Sequence, residues 1–165
     1  MRRRLAALAA LAFAPVLACA QPEGDVDWRE VDAPPPPPAI SMQKLVPIEL
    51  PVTELRYGVM PSSVAVNSDQ VVRYVLVATS TSGAMNAVYE GIRCLTGEYK
   101  VYARYYPGRG WTMTRDAQWQ SMFTAPSPRA ALAIAQDGAC SGHAAARNAA
   151  EILSNLANRR AQPAR

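Results

Sequence analysis

Two charged residues stand inside otherwise apolar stretches of this chain: Arg73 within Val71-Val72-Arg73-Tyr74-Val75-Leu76-Val77, and Glu90 within Val88-Tyr89-Glu90-Gly91-Ile92. A charge among such neighbours needs a partner, because burying it alone carries a heavy desolvation penalty. Side chains alternate along a strand, so Arg73 shares a face with Val71, Val75 and Val77, and Glu90 shares one with Val88, Ile92 and Cys94. If residues 79–84 form the connection, Ala78 faces Met85 and Arg73 lies opposite Glu90. This predicts a partly buried cross-strand ion pair. Such a pair either fixes strand register alone, or places one charge in a cleft beside Tyr89, Tyr102 or Arg104, where it meets a polar ligand. Arg73, Glu90, Tyr89, Tyr102 and Arg104 are therefore the candidate binding residues.

Other reactive constellations are sparse. His143 is the single histidine. It sits between Gly142 and Ala144 with no acid close in sequence, which suits an exposed structural role better than a general base. There is no Gly-x-Ser-x-Gly elbow, and no cluster of His, Cys or carboxylate with metal-ligand spacing, so neither a metal nor another cofactor is expected. Gly108-x-Gly110 is too short for a phosphate loop and reads as a turn. The one catalytic alternative is an envelope hydrolase using Glu90 with a second carboxylate. That partner would come from Glu49, Glu54, Asp69, Glu98 or Asp116, and nothing in the sequence selects among them. No residue is assigned a catalytic role on this basis.

The setting for these residues is suggested by the N-terminus. Arg2, Arg3 and Arg4 precede an apolar run at 5–17 rich in Ala and Leu, the charged-then-apolar order of a secretory signal peptide. The run is shorter than the roughly 20 residues that span a bilayer, and no later stretch approaches that length, so no transmembrane span is expected. Ala18-Cys19-Ala20 fits cleavage before Gln21. Val16-Leu17-Ala18-Cys19 also resembles a lipobox, in which Cys19 would be acylated and tether an outer-membrane lipoprotein; Leu17 and Pro15 suit that reading less well. Membrane attachment is expected only in the lipidated form.

Removing the three signal arginines lowers the formal net charge from +4 to +1. The tail concentrates Arg147, Arg159, Arg160 and Arg165 against Glu151, so the body of the chain is slightly acidic. A nucleic-acid partner, which would need a basic face, is not expected. Of the three cysteines, Cys19 leaves with the signal or is lipidated. Cys94 and Cys140 remain as an even pair, for which an oxidising compartment predicts a disulfide rather than two buried thiols. Closing so long a loop contributes on the order of 3 to 4 kcal/mol.

Residues 21–44 are acidic and Pro-rich, with an uninterrupted run from Pro34 to Pro38 that favours polyproline II and reads as a semi-rigid linker. Trp28 is the exception, an aromatic expected to fold back onto something. Strand-length apolar segments follow at 45–50, 55–59, 71–78, 85–95, 99–106 and 111–114. Pro107-Gly108-Arg109-Gly110 joins the last two as a hairpin turn. Tyr99, Tyr105, Trp111 and Trp119 gather near that hairpin, while Tyr102, Arg104 and Tyr106 alternate on the opposite face, a Tyr-Arg surface of the kind used in binding. Ser127 and Pro128 open a helix that runs from Arg129 through Ala135 and stops at Gly138, and a second helix is expected over about 141–160, with Ala145, Ala149, Ile152, Leu153 and Leu156 on one face. The fold class is α+β: an antiparallel meander backed by C-terminal helices, preceded by the Pro-rich linker. The expected divisions are a signal peptide at 1–20, the linker at 21–44, a domain at 45–140, and an Ala-rich helix with a basic tail at 141–165.

Several of these stretches together resemble a known family. Val71-Val72-Arg73-Tyr74, Ser80-x-Ser82-Gly83-Ala84-x-Asn86 and Tyr89-Glu90-Gly91-Ile92-Arg93-Cys94 are similar to motifs of the bacterial family named for the cryptic neisserial protein one, the CNP-one-like family. Asp27-Trp28-x-Glu30, Tyr99-Lys100-x-Tyr102-Ala103, the stretch from Trp111 to Trp119 and the late Cys140 match it as well. The resemblance covers about residues 27–140 and leaves the last helix outside it. It implies an exported, periplasmic protein of a Gram-negative bacterium, and it brings no activity to transfer to any residue. The resulting expectation is a non-catalytic envelope accessory or binding module whose partner is an envelope protein or a polar ligand.

Overall fold

The computed structural model describes residues 27–51, 53–124 and 129–160. The signal segment, Cys19, Ser127, Pro128 and Arg165 lie outside the described residues. Ten strands appear among the described residues: β1 (Val46–Ile48), β2 (Arg56–Val59), β3 (Ala65–Val66), β4 (Val71–Thr79), β5 (Met85–Arg93), β6 (Glu98–Tyr106), β7 (Gly110–Met113), β8 (Gln120–Ser121), β9 (Cys140–Ser141) and β10 (Ala144–Ala145). The first eight make one sheet in the order β1-β2-β4-β5-β6-β7; β3 takes the edge of β4 left free by β2, and β8 the edge of β6 left free by β7. Every ladder in it is antiparallel. The expected α+β meander is the observed one, extended by the short strands β3 and β8.

Long strands β4, β5 and β6 form the centre, where Val, Ile, Tyr and Ala supply side chains that pack on both faces of a pleated surface. One face carries Val72, Tyr74, Leu76 and Ile92 and is covered by helix α1 (Arg129–Ile134), the π-helical turn at Ala135–Ala139 and helix α2 (Ala149–Arg160). Ile134, Ile152 and Leu156 seal it. The other face carries Val75, Val77, Ala87 and Tyr89 and packs against Ala33, Ile40 and Leu45. The Pro-rich segment expected as a spacer is thus a cover for the sheet. Trp111 Nε1 donates to the Pro37 carbonyl at 2.7 Å, and Ser41 N–H approaches Met60 Sδ at 3.3 Å. Sequence alone favoured a spacer because the groups that hold this segment lie far along the chain.

Three local features depart from expectation for identifiable reasons. The β4–β5 connection uses residues 80–84, not 79–84, because the Ser80 hydroxyl and carbonyl both accept hydrogen bonds within the turn, from Ala84 N–H at 3.0 Å and Gly83 N–H at 3.0 Å. Thr79 therefore pairs with Met85, and the whole register moves by one residue. The β5–β6 ladder shifts register at Tyr89/Glu90, a bulge that re-aims the residues of β6 around Tyr102. Helix α2 begins at Ala149, not near 141, because Asn148 is a better start: its Oδ1 accepts from Glu151 N–H at 3.0 Å while Glu151 accepts from Arg147 N–H at 2.8 Å. Residues 140–145 instead form the β9–β10 hairpin. At the other end of the sheet the predicted turn is present, with Gly108 and Gly110 at φ of 80° and 77°.

Cys94 and Cys140 are bonded, with Cα atoms 5.6 Å apart. The bridge joins the residue following β5 to the one following the π-helical turn. It thereby holds the helical layer on its face of the sheet.

Candidate functional site

The one-residue register shift separates the predicted ion pair. Arg73 lies opposite Gly91, and Glu90 opposite Tyr74, so the two charges point to opposite faces of the sheet. Both faces are covered, which is why both residues sit in apolar sequence.

Arg73 is fully buried, and its guanidinium clasps Asp69 in a two-pronged contact: Nη1 to Oδ1 at 3.1 Å and Nη2 to Oδ2 at 2.7 Å. It also donates to Asn67 Oδ1 at 2.9 Å and to the Val31 carbonyl at 3.3 Å. Asp69 in turn accepts from Val71 N–H and Val31 N–H. Burial alone would raise the Asp69 pKa, but these donors and the Arg73 charge outweigh it and hold the carboxyl below its ordinary value. Next to this pair, the Glu30 carboxylate lies 3.5 Å from Arg73 Nη2 and accepts from Lys100 Nζ at 2.8 Å, Tyr102 Oη at 2.7 Å and Trp119 Nε1 at 3.1 Å. Its pKa is lowered too, because Lys100, Tyr102 and Trp119 offset the cost of burial. Trp28 completes the cage: its indole N–H donates to the Asp69 carbonyl at 2.9 Å, its ring lies under the Arg93 guanidinium at 3.8 Å, and it meets Trp119 edge-on.

Of the predicted candidates, Tyr89 and Tyr102 belong to this face, with ring centroids 5.3 Å apart. The bulge places Tyr102 here, where a strict alternation would set it beside Arg104. Gly91 is required beneath it, since a Cβ there would lie 2.7 Å from Tyr102 Oη. Every acid of the cage is paired, so this region is a lock that binds residues 28–31 to the sheet. Sequence reasoning named Trp28, Glu30, Lys100 and Trp119 as motif residues but assigned them no common task.

Glu90 presents the opposite case. It lies on the helix-covered face, 8% exposed, and its one hydrogen bond among the described residues comes from Tyr74 Oη at 3.0 Å. Burial raises its pKa to about 7, with Tyr74 and the charge of Arg104 opposing only in part. The same burial, with the nearby Glu90 charge, drives the Tyr74 pKa well up. Arg104 thus shares the Glu90 face, not a cleft with Tyr102. Beside Glu90 is a cavity of about 330 Å³, whose walls include Leu50, Thr53, Tyr57, Arg129 and Ala131. Leu50 and Tyr57 on one side and Arg129 on the other lie far along the chain from Glu90, and no local pattern singled them out.

The remaining candidates are dispersed. Asp69 is committed to Arg73 on the far face. Glu98 is 3.8 Å from Arg93, and Glu49 and Glu54 border an adjoining groove of about 760 Å³ that shares Leu50, Thr53 and Tyr57 with the Glu90 cavity. Asp116 is an exposed turn residue with φ of 47°. His143 is exposed, with Nδ1 3.2 Å from the Leu95 carbonyl. Tyr105 meets Trp111 edge-on, and Tyr99 Oη is 3.2 Å from Gln120 Oε1. Among the described residues there is no group of three or more His, Cys, Asp or Glu that could hold a metal ion, and no helix long and apolar enough to cross a membrane.

No curated protein and no solved structure matches this chain. A family model does, over residues 23–157, which takes in the cage, the Glu90 face, the disulfide and most of α2, a helix that the motif resemblance left outside. The chain belongs to the CNP1-like family.

Proposed function

We propose that this protein is exported to the periplasm and acts there, without catalysis, as an envelope accessory that binds a small polar ligand at Glu90. The observation that carries the reading is a carboxyl group 8% exposed, held by a single tyrosine hydroxyl, at the edge of a cavity of about 330 Å³. A buried acid in that state costs stability unless a ligand supplies what the fold does not. Export is supported by the arginine-then-apolar N-terminus and by the Cys94–Cys140 disulfide, which suits an oxidising compartment.

The alternative of an envelope hydrolase draws on the same Glu90, whose pKa of about 7 suits a general acid. Glu90 is the one acid on the cavity wall among the described residues, so a two-carboxylate mechanism lacks its second member there. The lipoprotein alternative, anchored at Cys19, loses its stalk, because the proline run covers the sheet and only residues 20–26 remain between an acylated Cys19 and the described chain.

Native mass spectrometry of the protein isolated from the periplasm tests the reading. A small-molecule adduct on the wild type that is absent from Glu90→Gln is the expected result. Equal adduct, or none, on both proteins would remove the Glu90 cavity as the site. The same spectra give the mature N-terminus, expected at Gln21.

A further inference from the structure

We infer that the Glu90 cavity takes a small zwitterion, a free amino acid or dipeptide, with its ammonium group on the Glu90 carboxylate and its own carboxylate toward Arg129. The inference rests on the reading of this cavity as a binding site and adds the class of ligand.

The cavity is graded. Glu90 and Ala131 are its buried members, while Pro51, Thr53 and Arg129 are exposed at its mouth. The buried end therefore presents an acid and the open end a guanidinium, which fixes the polarity of what enters. One Glu90 oxygen is taken by Tyr74, and the other is available to a donor, best of all a cationic one. Tyr57 also lines the cavity, an aromatic neighbour of a kind that favours a bound ammonium group. Arg129 Nη1 makes a long contact of 3.4 Å to the Pro51 carbonyl, weak enough to be given up for a carboxylate.

Between the two ends, the half-buried Leu50 and Ala130 form an apolar stretch of wall suited to a short aliphatic side chain. The cavity's neutral side-chain partners are the hydroxyls of Thr53 and Tyr57, and Thr53 Oγ1 already accepts from Leu55 N–H, so a sugar would leave several of its hydroxyls without partners. An anion alone would meet Glu90, and an amine alone would leave Arg129 unused. A volume of about 330 Å³ lies at the small end of ligand cavities, in keeping with one or two amino-acid units.

Titration calorimetry of the periplasmic protein with L-valine, isobutylamine and 3-methylbutanoate tests this, because the last two lack its carboxylate and its ammonium group in turn. L-valine should bind more than about tenfold tighter than either, Glu90→Gln should weaken L-valine by more than about tenfold, and Arg129→Gln should bring L-valine down to the level of isobutylamine. Binding should strengthen from about pH 6 to about pH 8 in the wild type and not in Glu90→Gln. The titratable and charged groups that face Glu90 are Tyr74 on β4, Tyr57 on β2, Tyr99 and Arg104 on β6 and Arg129 on α1.

If isobutylamine binds as tightly as L-valine, or Arg129→Gln changes nothing, the zwitterion is overturned while Glu90 stands as a site. Absence of binding by all three compounds also overturns it, and the native mass comparison then judges the cavity separately. Binding that Glu90→Gln leaves intact overturns both.

Discussion

The two faces of one sheet treat their buried charges in opposite ways. On the face covered by residues 28–45, Arg73, Asp69, Glu30 and Lys100 answer one another, and both carboxyls are held below their ordinary pKa. On the face covered by helices, Glu90 has one tyrosine and a cavity, and its pKa rises to about 7. Asp69 and Glu90 are equally buried, at 7% and 8% exposed, so burial does not distinguish them. The difference lies in how many donors the fold aims at each, and it divides a charge cluster that secures the structure from a single acid that the proposed ligand would answer.

The largest effect should come from opening the closed face. Asp69→Ala leaves Arg73 buried without its two-pronged partner and should cost about 3 to 5 kcal/mol in urea unfolding. Removing the disulfide with Cys94→Ser and Cys140→Ser together should cost about 3 to 4 kcal/mol by the same assay, and should loosen the helical layer first.

The Glu90 face should answer with the reverse sign. Between pH 4.5 and about 7 the folded protein keeps the Glu90 proton that the unfolded chain has released. Rising pH therefore drains stability over that window. At 1.36 kcal/mol per unit, a shift from 4.5 to about 7 amounts to about 3 kcal/mol. Glu90→Gln should thus stabilise the protein by about that much at pH 8 and change little near pH 4, as read from paired denaturation curves. Asp69 and Glu30, whose pKa values are lowered, contribute stability that is present at neutral pH and lost as pH falls below their ordinary values.

Smaller losses should follow from loosening the cover. Glu30→Gln keeps the shape of the side chain but removes the charge that Lys100 and Arg73 face, at a cost of about 1 to 3 kcal/mol. Trp111→Phe removes the hydrogen bond to Pro37 and should cost about 0.5 to 1.5 kcal/mol, with faster proteolysis in the residues that flank the proline run.

Much of this arrangement could be read from the residues themselves. The long strands announce themselves by apolar runs bounded by turn residues, and the sequence reading placed them within two residues of their observed ends, as with 85–95 against Met85–Arg93. The Cys94–Cys140 pairing followed from the cysteine count and the expectation of an oxidising compartment. What could not be read depended on single atoms or on distance along the chain. One hydroxyl, that of Ser80, shortened a turn by a residue and sent Arg73 and Glu90 to opposite faces. One bulge decided which face received Tyr102. The polyproline cover was invisible because its contacts, such as Trp28 with Asp69 and Glu30 with Lys100, join residues that no local pattern relates. The walls of the Glu90 cavity are of the same kind.

The contrast between a satisfied and an unsatisfied acid is tested most directly by following the Glu90 side-chain carboxyl through a pH titration by carbon NMR, in the ligand-free protein. The account predicts a midpoint of about 7. A midpoint at or below the ordinary 4.5 would mean that Glu90 already has a cation or several donors of its own, and would contradict the account.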